Sequence, residues 1–170
     1  MTPSPILTRY SGSGAVPESD GATAVSIAWH YGDPLGEQRA AARGAIIVDR
    51  SDRAVIEISG DERLTWLHTI SSQHISNLPD RSSAENLSLD VNGRVEEHFV
   101  LTDVDGVTWV DTEGSRGAAL HGFLAKMVFW AKAEPVLRPD MKVVTLVGPA
   151  ARSGQIAEPV SYTHLRAHET

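Results

Sequence analysis

Between Val95 and Leu101 the chain alternates in the two-residue period of a half-buried strand, placing Val95, Glu97, Phe99 and Leu101 on one face. Three of those four side chains belong against a core, so the segment calls for a sheet with one covered face. Glu97 breaks the pattern. A carboxylate taken out of water needs a cation or a hydrogen-bond donor, supplied by the protein or by a ligand. The alternative is a strand-edge glutamate that reaches solvent.

The preceding residues, with Leu87 and Leu89, form the partner strand of a hairpin. A two-residue Asn92-Gly93 turn would send the apolar parities of the two strands to opposite faces. A three-residue loop of Val91, Asn92 and Gly93, with Gly93 left-handed, instead pairs Leu89 with Val95 and Leu87 with Glu97. It also sets Asp90 opposite Arg94, and aspartate suits the first position of such a turn.

Elsewhere, Glu37 to Arg43 reads as a short helix ending at Gly44, followed by strands at Ala45–Val48 and Ala54–Ile58. Asp61 opens a helix with acidic residues in its first turn and an apolar stripe of Leu64, Trp66, Leu67 and Ile70. Val107–Val110 is a short strand. A helix from about Ser115 carries Leu120, Phe123, Leu124 and Met127 at core-facing spacing, with Lys126 off that stripe, and strands follow at Ala131–Leu137 and Lys142–Val147. This order predicts an α+β fold, a ferredoxin-like split β-α-β antiparallel sheet with its helices on one face.

Composition narrows the function. Fifteen Lys and Arg against 22 Asp and Glu give a net charge of -7, which repels phosphate backbones and acidic membrane surfaces. The strands also lack the aromatic platforms of RNA readers, so neither nucleic acid nor membrane is an expected partner. The chain has no cysteine, which removes thiolate metal sites from these residues. No apolar run would span a bilayer and no basic-then-apolar leader opens the chain, so a cytoplasmic protein is expected.

Residues 1–36, rich in Ser, Gly, Pro and Ala, read as a flexible leader, 37–150 as the domain proper, and 151–159 as the start of a further segment. Residues 160–170, VSYTHLRAHET, resemble the translated end of a transposase-based sequencing adapter. They are set aside as non-native, together with the His164 and His168 pair. The natural sequence is expected to continue past Pro159.

Five segments in order carry a family resemblance. They are His30 to Leu35 with Glu37-Gln38-Arg39; Val48-Asp49-Arg50-Ser51; Ile58 to His68; Leu89 to Leu101 with its Asn92-Gly93-Arg94-Val95-Glu96; and Val147-Gly148-Pro149-Ala150. Together they resemble the folate-binding proteins related to the aminomethyltransferase (T-protein) of the glycine cleavage system, nearest to the YgfZ branch in its actinobacterial form. In the aminomethyltransferases a Gly-Gly-hydrophobic-hydrophobic-Asp-Asp run ends on an aspartate that contacts the reactive end of tetrahydrofolate. Asn92 to Glu97 fill that run here, and Glu97 takes the position of that aspartate.

The resemblance implies tetrahydrofolate as cofactor and Glu97 as a binding residue. Asp111 stands near the family's pterin-contacting strand-end asparagine. Arg94 is a candidate partner for the folate glutamate tail, although its place opposite Asp90 in the turn also accounts for it. Glutamate in place of aspartate lengthens the acid by one methylene, which favours binding over aminomethyl transfer. The YgfZ branch implies a role in iron-sulfur cluster assembly or repair, with iron-sulfur proteins as partners and effects on dependent tRNA modification. The branch's Lys-Gly-Cys-Tyr-x-Gly-Gln signature lies outside these residues. The alternatives are a true aminomethyltransferase and a ligand-free ferredoxin-like interaction module, and whether the chain is an enzyme is left open.

Overall fold

The computed structural model describes residues 2–10, 14–17 and 25–152. The adapter-like segment 160–170, with its two histidines, and residues 153–159 lie outside them. The chain divides into two compact units: residues 1–52 with 143–170, and residues 53–142.

In the first unit, β1 (Thr2–Pro3) leads to α1 (Pro5–Arg9), and β2 (Val16–Pro17), β3 (Val25–Ser26) and β4 (Ala28–His30) follow. β1 pairs with β3, and β2 pairs with β4. These elements fall within residues 1–36. α2 spans Pro34–Arg43, three residues more at its start than the sequence pattern marks. Asp33 accepts a bond from Gly36 N–H, and Pro34 occupies a position whose missing N–H costs nothing. β5 (Ile46–Arg50) closes this part of the chain and pairs antiparallel with Val143–Val147, the last strand in chain order. Within the unit, buried Asp49 accepts from the Ser4 hydroxyl and from Ser51 N–H. Tyr31 sits partly buried near Asp49 and Glu37, and desolvation first, then those charges, raise its phenol above the ordinary range.

The second unit is built from β6 (Ala54–Ser59), α3 (Arg63–Ile70), β7 (Ser82–Leu89), β8 (Val95–Val104), β9 (Val107–Thr112), α4 (Gly117–Met127) and β10 (Glu134–Leu137). Its antiparallel sheet has the order β10-β6-β9-β8-β7. The first four strands in that row reproduce the ferredoxin-like split β-α-β order, and β7 adds an edge. The fold class expected from the element order is the one observed.

Both helices pack on one face. Ile56 and Ile58 from β6, Phe99 and Leu101 from β8, and Val110 from β9 meet Trp66 and Leu67 of α3 and Leu120 and Leu124 of α4 in one buried cluster. Burying side chains of this size stabilises the fold by about 1.5–3 kcal/mol each. α3 begins at Arg63, two residues later than the sequence suggests, and has no acidic residue in its first turn. Glu62 makes no cap bond there because its carboxylate accepts from Lys132 N–H at 2.7 Å. No described helix is long and apolar enough to cross a membrane.

Candidate binding cleft

The hairpin turn has the expected three-residue form. Asp90 N–H donates to Arg94 O and Gly93 N–H to Asp90 O, while the Asp90 carboxylate accepts from the N–H groups of Asn92 and Arg94 at 2.8 Å each. These backbone donors, Arg94 first, hold the Asp90 carboxyl below its ordinary range. Gly93 sits at φ +78°, the left-handed region that the turn requires.

Leu89 faces Val95 as expected, but the register changes one residue later. Ser88 pairs with Glu97 and Leu87 with His98, leaving Glu96 as an extra residue on β8. The expected pairing of Leu87 with Glu97 is therefore corrected. A bulge twists the strand and re-aims the side chains on either side of it. Val95, opposite Leu89, is exposed, whereas Glu97 lies inward beside buried Ser88, only 6% exposed.

The cation for Glu97 is Arg116, which stands at the N-cap position of α4 and makes no side-chain capping bond there. Its guanidinium forks onto the carboxylate, Nε to Oε2 at 3.1 Å and Nη2 to Oε1, and Nη2 also donates to Glu96 O at 3.2 Å. This pairing with Glu97 raises the Arg116 pKa further above neutrality. Arg116 is the residue of the candidate site that the strand pattern alone does not reveal. The available signal was the unmet charge of Glu97 followed by an arginine at the entrance of the next helix.

β8 carries a second inward acid. Asp103 is forked by Arg63, the first residue of α3, with both bonds at 2.8 Å, and also accepts from Thr108 Oγ1 at 2.6 Å. The two forks share a design and differ in enclosure. The Arg63 side chain is 14% exposed, but that of Arg116 is 51% exposed. Glu97 and Arg116 border an open cleft of about 700 Å³, lined on β8 by Val95 and Glu96 and on α4 by Ala118, Ala119, Gly122, Phe123 and Lys126.

The other two residues singled out from the sequence stand elsewhere. Asp111 pairs with Val100 of β8 and Val55 of β6, in register with Phe99 opposite Thr112, so it occupies the sheet face away from Glu97. It is buried there and held by Arg53, which also lies 3.6 Å from Glu113. Arg94 is exposed on the turn and does not line the cleft. Sheet register thus separates Asp111 from Glu97, a separation that linear spacing does not reveal. Among the described residues, no group of three or more His, Asp or Glu is arranged to hold a metal ion.

The structure is similar to the glycine cleavage system aminomethyltransferase T from Bartonella henselae, with a TM-score of 0.74 at 17% identity, covering 88% of this chain and 41% of that one. At that identity the likeness is one of fold, the T-protein fold. In sequence, the chain is 27% identical over 135 residues to an aminomethyltransferase from Nitrosococcus oceani, covering 76% of this chain and 36% of the relative. The chain therefore spans about two fifths of the length of the proteins it matches. No protein-family model matches it.

Proposed function

We propose that this chain supplies a tetrahydrofolate-binding domain related to those of the aminomethyltransferases, with Glu97 meeting the donor-bearing end of the folate. The observation that carries this reading is the contrast between the two acids of β8. Asp103 is sealed by Arg63 and Thr108, while Glu97 opens onto a cleft behind a half-exposed arginine. A carboxylate kept only for the scaffold has no need of that opening. The cleft also falls in the size range of small-ligand sites. Arg94 and Asp111 stay outside this reading, one bound into the turn and the other facing away.

The finer role we propose is folate-dependent support of iron-sulfur cluster assembly or repair, with iron-sulfur proteins as partners and effects on dependent tRNA modification. It rests on the lengthened acid at position 97, which suits binding better than a proton transfer needing sub-ångström placement. Aminomethyl transfer is the second reading, supported by the likeness to the Nitrosococcus protein.

Calorimetric titration of the full natural reading frame with tetrahydrofolate tests the site. Affinity should fall at least tenfold in Glu97→Ala, and equal affinity in the two proteins would remove Glu97 from the site. Glu97→Asp separates the two roles: a transferase should gain turnover when the shorter acid is restored, and a binding protein should show none.

A further inference from the structure

The inner face of β7 is polar where a core-facing strand is ordinarily apolar. Asn86 is fully buried and Ser88 is 1% exposed, and they stand two residues apart on that face, opposite Phe99 and Glu97 of β8. Asn86 Oδ1 accepts from Gln73 N–H at 3.2 Å. Ser72 N–H donates to Leu87 O, and Leu87 N–H to Ser72 Oγ, so this segment runs along the free edge of β7. With its carbonyl held at that edge, the Asn86 amide turns its NH2 back toward β8. That nitrogen and the Ser88 hydroxyl are both enclosed, and neither has a partner among the described residues. An orphaned buried donor is costly, and two on one face call for a shared acceptor.

Glu97 is the acid within range. It is the direct cross-strand neighbour of Ser88, with Cβ atoms about 4.5–5.5 Å apart, and the diagonal neighbour of Asn86 at about 7–8 Å. Neither β7 donor bonds it directly. A water about 2.9 Å from each partner closes gaps of about 5–6 Å. The Arg116 fork occupies one lone pair on each carboxylate oxygen and leaves the others. No larger molecule reaches atoms enclosed in this way, whereas a buried water with about three such bonds is ordinary in folded proteins.

We infer that one enclosed water accepts from Asn86 Nδ2–H and Ser88 Oγ–H and donates to the Glu97 carboxylate. Asn86 and Ser88 are thereby positioning residues, acting on the acid through the water from the β7 side as Arg116 acts on it from α4. The consequence for ligand binding rests on the folate reading, and the water itself does not.

A high-resolution crystal structure of the full natural reading frame, with tetrahydrofolate titrations of its variants, forms the test. Electron density should show a water within hydrogen-bond distance of Asn86 Nδ2, Ser88 Oγ and Glu97. Density that pairs the two donors with protein groups, or shows nothing between them, would overturn the inference. Ser88→Ala should weaken tetrahydrofolate binding about three- to tenfold, the range of one hydrogen bond, with the Tm little changed. In a protein already carrying Glu97→Ala the same substitution should leave the residual affinity as it is, because the group it acts through is gone. Equal effects in the two backgrounds would make Ser88 a packing residue and refute the positioning role. If the water is present but wild type and Glu97→Ala bind tetrahydrofolate alike, the folate reading falls and the water stands. If the water is absent and binding still depends on Glu97, the reverse holds.

Discussion

At the scale of single residues, the molecule handles its inward charges with forks. Replacing Arg63 by Met would leave Asp103, 4% exposed, with Thr108 as its remaining donor. Breaking a buried pair in this way costs about 3 kcal/mol, and chemical denaturation should show the loss as a lower midpoint with little change in slope. Arg116→Met should lower the Tm by less, because water already reaches that fork. Equal losses in the two variants would mean that the Glu97 site is as closed as the Asp103 site. Gly93 gives a smaller effect. An alanine there has space around it but must hold φ near +78°, a strain of about 1 kcal/mol that thermal unfolding would register.

At the scale of elements, α4 is positioned by contact at one end and left open along one side. A Cβ on Gly117 would lie 2.3 Å from the Ala54 Cβ of β6, so the start of the helix presses directly on the sheet. Gly117→Val should therefore push α4 outward and cost about 2 kcal/mol or more. The readout is denaturant unfolding, together with loss of the Arg116 contact to Glu97 in a variant structure. The loop after α4 is pinned as well: Trp66 Nε1–H donates to Met127 O at 2.8 Å, and Lys132 O accepts from Glu62 N–H. Phe129 adopts φ +43° in this loop, and Trp130 is 97% exposed.

At the scale of the whole molecule, acid sensitivity has an assignable contributor. Arg138 forks Asp140 at 3.0 and 2.8 Å and also holds Glu57, with its guanidinium 5.7 Å from the Trp109 ring. The Arg138 bonds, first among the causes, lower the Asp140 carboxyl from 3.8 to about 2. A depressed acid stabilises the fold above its unfolded value and loses that contribution as pH falls through the folded one. Asp140→Asn should thus be less stable than wild type at neutral pH and indistinguishable from it once pH drops through about 2. Acid titrations of both proteins, followed by circular dichroism, would show the convergence. The element order and the core stripes were readable in the sequence, because Ile56, Phe99, Leu101, Leu120 and Leu124 keep the periods of strand and helix. The odd acid was readable for the same reason, as an interruption of period. The partner strand was not: Asn86 and Ser88 face inward where Leu87 and Leu89 advertise burial. Nor was the separation of Asp111 from Glu97, since the face a strand residue occupies depends on every pairing across the sheet. The extra residue at Glu96 leaves strand β8 one codon of slack. Were it deleted, the register would still set Val95 opposite Leu89 and Glu97 opposite Ser88, so the inward aim of the acid does not depend on the inserted residue.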